Sequence, residues 1–145
     1  EPLSRKISVD FFLLLPHKKS LFPHTVEILK YLTEKGYHLH LITNGFESIQ
    51  FGKLRSSNLQ DYFKQVITSE ASGSLKPDKT IFEYALAKAG ADKNESIMIG
   101  DNLEADIGGA MNAGIDAIFV NHTGVSTQLK PAYTVHHLKE LENIF

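Results

Sequence analysis

The stretch SIMIGDNLEADIGGAMNAGI, Ser96–Ile115, decides the fold. Its opening run, Ser96–Gly100, has no polar alternation, which predicts a strand buried on both faces, as in a parallel sheet. Asp101 follows at once. A helix is predicted over Glu104–Ala113, with Gly114 as its stop. Asp116–Val120, DAIFV, reads as another buried strand. The segment therefore places two carboxylates, Asp101 and Asp106, just beyond the end of an apolar strand.

The same alternation extends upstream. Val26, Ile28, Leu29 and Leu32 recur at helical spacing between Pro23 and Gly36. YHLHLIT, Tyr37–Thr43, reads as a strand broken by Asn44-Gly45. A helix is predicted over Glu47–Ser57, a strand over Gln65–Ser69 and a loop over Ser72–Pro77. Asp78 is a natural N-cap for a helix whose face carries Ile81, Phe82, Ala85, Leu86 and Ala89, with Gly90 ending it. Tyr133–Val135 reads as an edge strand before a short amphipathic tail. Strands alternating with helices predict an α/β fold, a Rossmann-like parallel sheet with helices on both faces. In such a sheet, sites lie beyond the carboxyl ends of the strands, where Thr43, Asp101 and Asn121 fall.

The 145 residues fit one domain. Net charge is -2 with both signs scattered, which argues against a nucleic-acid surface or a membrane-binding face. The longest apolar run, Phe11–Leu15, is far too short to span a bilayer. The chain has no cysteine, so it makes neither disulfides nor thiolate metal sites, and we expect a cytoplasmic location.

Three features carry chemistry. A hydroxyl at the end of a strand, Thr43, followed by the exposed backbone of Asn44, suits phosphate oxygens. Lys76, in SLKPDKTIF, is presented by a loop stiffened by Pro77 and can neutralise a phosphoryl group. Asp101 and Asp106 are spaced to face one point, where one could ligate Mg²⁺ and the other orient a ligand or the lysine. Separately each has a bland reading as a cap, a solvated lysine or a dipole partner. Together, in this order on a parallel sheet, they point to a phosphate-plus-metal site. His38 and His40 share a strand face without an evident third ligand and read as packing residues; His136 and His137 read as surface. GGAMNAG lies on a helix and is no dinucleotide fingerprint.

LHLITNG, LKPDKTIFEYAL and IMIGDNLEADIGGAMNAGI resemble the second, third and fourth motifs of the haloacid dehalogenase-like phosphohydrolases, over a match from about Leu21 to the end. LPHKKSLFPHTVEILKYLTEKGY further resembles the branch with a helical cap, which includes nucleotidases. The resemblance implies that residues 1–20 are a remnant of cap and linker and that 21–145 are the C-terminal part of the core. It implies that Thr43 and the Asn44 backbone bind phosphate, that Lys76 stabilises charge on it, and that Asp101 ligates Mg²⁺. Asp106 would support that metal shell or Lys76. The implied reaction is hydrolysis of a small phosphorylated metabolite, a phosphomonoester such as a nucleoside monophosphate, through an aspartyl-phosphate.

The family's first motif, an Asp-x-Asp at the end of a central first strand, is absent from the 145 residues. Asp10 follows alternating apolar residues, but Phe12 stands where the second acid belongs and no room remains for a cap. We therefore expect the nucleophile to lie upstream in a longer polypeptide and the 145-residue chain alone to be inactive. Without the first strand, the strands ending at Thr43 and Gly100 would expose apolar edges and invite self-association. The rival readings are a non-catalytic phosphate- or metal-binding module, or a relic serving regulation or assembly. Receiver-like signalling domains fit less well, because their acids precede the Thr and here the pair follows it.

Overall fold

The computed structural model describes residues 20–145. The expected cap and linker remnant therefore lies outside the described residues, apart from Ser20.

The chain runs α1 (Thr25–Glu34), β1 (Leu39–Thr43), α2 (Glu47–Ser56), β2 (Phe63–Thr68), α3 (Ser69–Ser72) and α4 (Lys79–Ala89). It continues through β3 (Ile97–Gly100), a π-helical turn (Leu103–Gly108), α5 (Gly109–Asn112), β4 (Asp116–Val120) and β5 (Tyr133–Val135), and ends in a 3₁₀ helix, Leu138–Asn143. Local chemistry accounts for several of these boundaries. The Asp78 carboxylate accepts from the Thr80 N–H at 2.8 Å and caps α4. Gly36 and Gly90 adopt left-handed φ values of 90° and 64°, which a side chain would disfavour, and turn the backbone back on α1 and α4. At α1 this closure takes the Tyr37 N–H onto Leu32 O at 3.0 Å. Tyr37 thus closes the helix, and β1 starts at Leu39, two residues later than expected.

All strand pairings are parallel. β1 pairs with β2, with Thr43 opposite Thr68. β3 pairs with β4, Gly100 opposite Phe119, and β4 pairs with β5, Val120 opposite Val135. Among the described residues the strands thus form a two-stranded and a three-stranded sheet. Among the described residues, β1 and β3 each have one hydrogen-bonded strand neighbour. This corrects one expectation: β3 is half-buried throughout rather than buried on both faces. β4, paired on both sides, buries Ala117, Ile118, Phe119 and Val120.

β4 also separates the two halves of the core. Ala117 and Phe119 join Ile67, Ile81, Phe82, Ala85, Ile107 and Ala110 under α4 and α5. Ile118 and Val120 join Ile28, Leu32, Val135 and Leu141 under α1 and the C-terminal helix. Helices therefore cover both faces, as the strand–helix alternation predicts. On α1, Val26 is exposed rather than part of the core face. Among the described residues no helix is long and apolar enough to cross a membrane.

Candidate active site

The site forms beyond the carboxyl ends of β1 and β3. Thr43 ends β1, and its Oγ1 accepts from the Gly45 N–H at 3.1 Å, which folds the chain into a turn. Asn44 then reaches across to the loop before α4. Its Oδ1 accepts from the Lys76 backbone N–H at 2.7 Å, and its Nδ2 donates to the Lys76 carbonyl at 3.0 Å. Two loops 32 residues apart are locked together by one side-chain amide.

Lys76 precedes a cis peptide bond to Pro77. Its Nζ donates to Asp106 Oδ1 at 2.5 Å and to the Ile42 carbonyl at 3.0 Å. The lysine side chain is 11% exposed and that of Asp106 8%, so this ion pair is largely withdrawn from water. An ammonium carries three donors, and two are used among the described residues.

Asp106 is held from the other side as well. Its Oδ2 accepts from the Asn102 N–H at 3.1 Å. A Cβ at Gly100 would lie 2.4 Å from Asp106 Cβ, so only glycine lets the carboxylate pack against the end of β3. The turn carrying Asp106 is π-helical. The Asn102 carbonyl accepts from both the Asp106 and Ile107 N–H groups, at 2.9 and 3.2 Å, while Asn102 Oδ1 caps Glu104 and Ala105. Gly109 completes the packing, since a Cβ there would fall 2.6 Å from the Phe82 ring and 3.0 Å from Pro77 Cα. α5 can thus press against the loop that carries Lys76.

Asp101 sits between Gly100 and Asn102, both of which touch Asp106. It is exposed, and its carboxylate has no hydrogen-bond partner among the described residues. Thr43, Asn44, Lys76 and Asp106 are therefore linked by direct contacts or adjacency, and Asp101 stands beside them. Asn121, the third residue at a strand end, is not part of this cluster; its side chain clamps Val125 N–H and C=O at 2.9 and 3.0 Å and closes the following loop.

The donor set bears on a metal. Lys76 is offset by Asp106, and the Asp101 carboxylate has no ion-pair partner among the described residues at the place expected for a phosphate. A divalent cation would remove that conflict. Magnesium is suited to one or two carboxylates, with water and phosphate oxygens completing its shell. The described residues fit it to that extent. No group of three or more His, Asp or Glu able to hold a metal occurs among them. A surface cleft of about 510 Å³ lies elsewhere, lined by Phe51, Phe63 and Lys64 among others. That cleft contains none of the groups that converge around Lys76.

A family model for haloacid dehalogenase-like hydrolases matches residues 12–120. The chain belongs to the haloacid dehalogenase-like hydrolases. Among curated relatives of this family, pyrimidine 5'-nucleotidase PynA of Streptococcus pneumoniae is 42% identical over 118 residues, covering 79% of this chain and 50% of that protein. Glyceraldehyde 3-phosphate phosphatase of Methanothermobacter thermautotrophicus is 41% identical over 114 residues, with coverages of 79% and 48%. The chain spans about half the length of these relatives. The crystal structure of the putative HAD-hydrolase YfnB from Bacillus subtilis, bound to magnesium, superposes with a TM-score of 0.90 at 28% identity, over 99% of this chain and 63% of that one.

The geometry also exposes site residues that sequence reading missed. The Ile42 carbonyl is a backbone group and leaves no signature. Asn102 had one: an Asn just before a helix is a favoured N-cap. The side chain of Asn44 was passed over because the expectation rested on its backbone.

Proposed function

We propose that the intact protein is a Mg²⁺-dependent phosphomonoesterase acting on a small phosphorylated metabolite in the cytoplasm, with nucleoside monophosphates as its substrate class. The observation that carries this reading is the Lys76 ammonium, fixed between Asp106 and Ile42 O beside Thr43, with two of its three donors used among the described residues. The nucleotide part is supported by the 42% identity to a pyrimidine 5'-nucleotidase, and the magnesium part by Asp101, which has no ion-pair partner among the described residues.

In this proposal the Thr43 hydroxyl and the backbone around Asn44 hold the phosphoryl oxygens, and the third Lys76 donor takes another. Asp106 keeps the ammonium in place, with one oxygen on Lys76 Nζ and the other on the Asn102 N–H. Asp101 would hold Mg²⁺, which when bound supplies positive charge to the phosphoryl group. The family reaction places a carboxylate nucleophile on phosphorus. The P–O bond to the leaving group breaks, the alcohol departs with a proton, and water then cleaves the aspartyl-phosphate to carboxylate and inorganic phosphate. We assign that nucleophile to a first-motif segment outside the 145 residues, so that the 145-residue chain alone is inactive.

The test is phosphate release from p-nitrophenyl phosphate by the full-length protein with Mg²⁺. The proposal requires turnover that Asp101→Ala abolishes. Turnover unaffected by that substitution removes Asp101 from the mechanism. Binding of Mg²⁺ and phosphate without any turnover would favour a non-catalytic binding module.

A further inference from the structure

Lys76 is gripped at both ends by residues at the end of β1. Its backbone is held by the Asn44 side chain, at 2.7 Å on the N–H and 3.0 Å on the carbonyl. Its ammonium reaches back to the Ile42 carbonyl at 3.0 Å. Thr43, whose hydroxyl is proposed for the phosphate, lies between these two anchors in sequence. The lysine is thus tied to the residue before Thr43 and to the residue after it.

The turn that follows Thr43 has supports of its own. The Gly45 N–H donates to Thr43 Oγ1 at 3.1 Å. Ser69 Oγ donates to the Asn44 carbonyl at 3.2 Å, and the Glu47 N–H donates to Glu70 Oε2 at 2.5 Å. These bonds hold the turn without the Asn44 side chain, whose two bonds go to the lysine loop instead. The residue type fits that task. A carboxamide carries donors and an acceptor in one planar group, so it can meet both the N–H and the C=O of one residue. An aspartate of the same size would offer acceptors only and would set a carboxylate against the Lys76 carbonyl.

We propose that Asn44 is a positioning residue, whose side chain fixes the Lys76 backbone so that the ammonium meets the same phosphoryl group as Thr43. This rests on the phosphomonoesterase reading above. The Asn44 side chain acts through Lys76 and touches no substrate. Asp106 and Ile42 O hold the ammonium, and Asn44 holds the other end of the same residue. The lysine therefore has little freedom left to lose when phosphate arrives. A charge fixed in advance stabilises the transition state without reorganising at the moment of reaction. With its backbone released, the lysine can keep Asp106 and still shift relative to Thr43. A misplacement of about 1 Å costs up to about a hundredfold in rate.

The experiment is a double-mutant cycle in the full-length protein: wild type, Asn44→Ala, Lys76→Met and the double variant, with Asn44→Asp as a variant of unchanged size. Each is assayed with Mg²⁺ for kcat/KM on p-nitrophenyl phosphate and, by phosphorus NMR titration, for the Kd of inorganic phosphate. Asn44→Ala keeps the backbone of the turn. It should lower kcat/KM by about tenfold or more and weaken phosphate binding, and Asn44→Asp should do so at least as strongly. In the Lys76→Met background, Asn44→Ala should change the phosphate Kd by less than about twofold, because the group it positions is gone. A general loss of fold, or direct contact between the Asn44 side chain and phosphate, would not produce that non-additivity. Wild-type values in Asn44→Ala, or an equal weakening in both backgrounds, overturn the proposal. If phosphate binds but no ester is hydrolysed, the phosphomonoesterase reading fails and the Kd cycle still decides the role of Asn44. A wild type that neither hydrolyses the ester nor binds phosphate overturns both.

Discussion

Asp106 lies 30 residues from Lys76 in sequence, yet one of its oxygens meets the lysine ammonium and the other the Asn102 N–H. Removing one partner of a buried ion pair leaves the other charge without compensation, at a cost of about 3–5 kcal/mol. Asp106→Ala should therefore lower unfolding free energy in urea by about 3 kcal/mol. Replacing both partners, Lys76→Met with Asp106→Leu, should recover most of that loss without restoring phosphate release in the full-length protein. A single variant within about 0.5 kcal/mol of wild type would show that the pair is not held as described. Both residues were legible as site candidates from type and position. The sequence left Asp106 to serve either the metal shell or Lys76, and its contact with Lys76 was not settled there. It depends on Gly100 admitting the second carboxylate and on Gly109 bringing Pro77 close, and neither contact is written in the spacing of the two acids.

In β1 the relevant group is His40. Its Nδ1 is buried without a hydrogen-bond partner among the described residues. Burial, and then the neighbouring His38, push its pKa below the ordinary histidine value. The unfolded chain, titrating near pH 6.5, therefore takes up the proton more readily than the folded one. The resulting stability is fully present above about pH 6.5 and is lost as pH falls through the depressed folded value. His40→Leu should flatten the decline of the thermal midpoint on the acid side of about pH 6.5; an unaltered slope would exclude His40 as its source. Other elements differed in how far sequence revealed them. α4 was plain, because Asp78, the apolar face and Gly90 agree on one helix. β4 was plain from its uninterrupted apolar run. The π-helical turn at Leu103–Gly108 was read as ordinary helix, because one extra residue per turn leaves the apolar pattern of Leu103 and Ile107 intact. α3, four residues long, is too short for any periodicity to register.

In the molecule as a whole, the two sheet pieces bring the ends of β1 and β3 to one place, and the loop before α4 supplies the lysine between them. The parallel α/β architecture was readable from strand–helix alternation. The division between β1 and β3 among the described residues was implied only through the family resemblance, because an unpaired edge and a paired one have the same sequence when both carry Leu and Ile. Convergence of Thr43, Lys76, Asp101 and Asp106 around one metal-held phosphate is the central claim. The most direct measurement is a crystal structure of the full-length protein with Mg²⁺ and inorganic phosphate. Convergence predicts Asp101 on the metal, and Thr43 Oγ1 and Lys76 Nζ on the same phosphate, with Asp106 still paired to the lysine. A metal and phosphate bound elsewhere, with Asp101 and Lys76 touching neither, would contradict it.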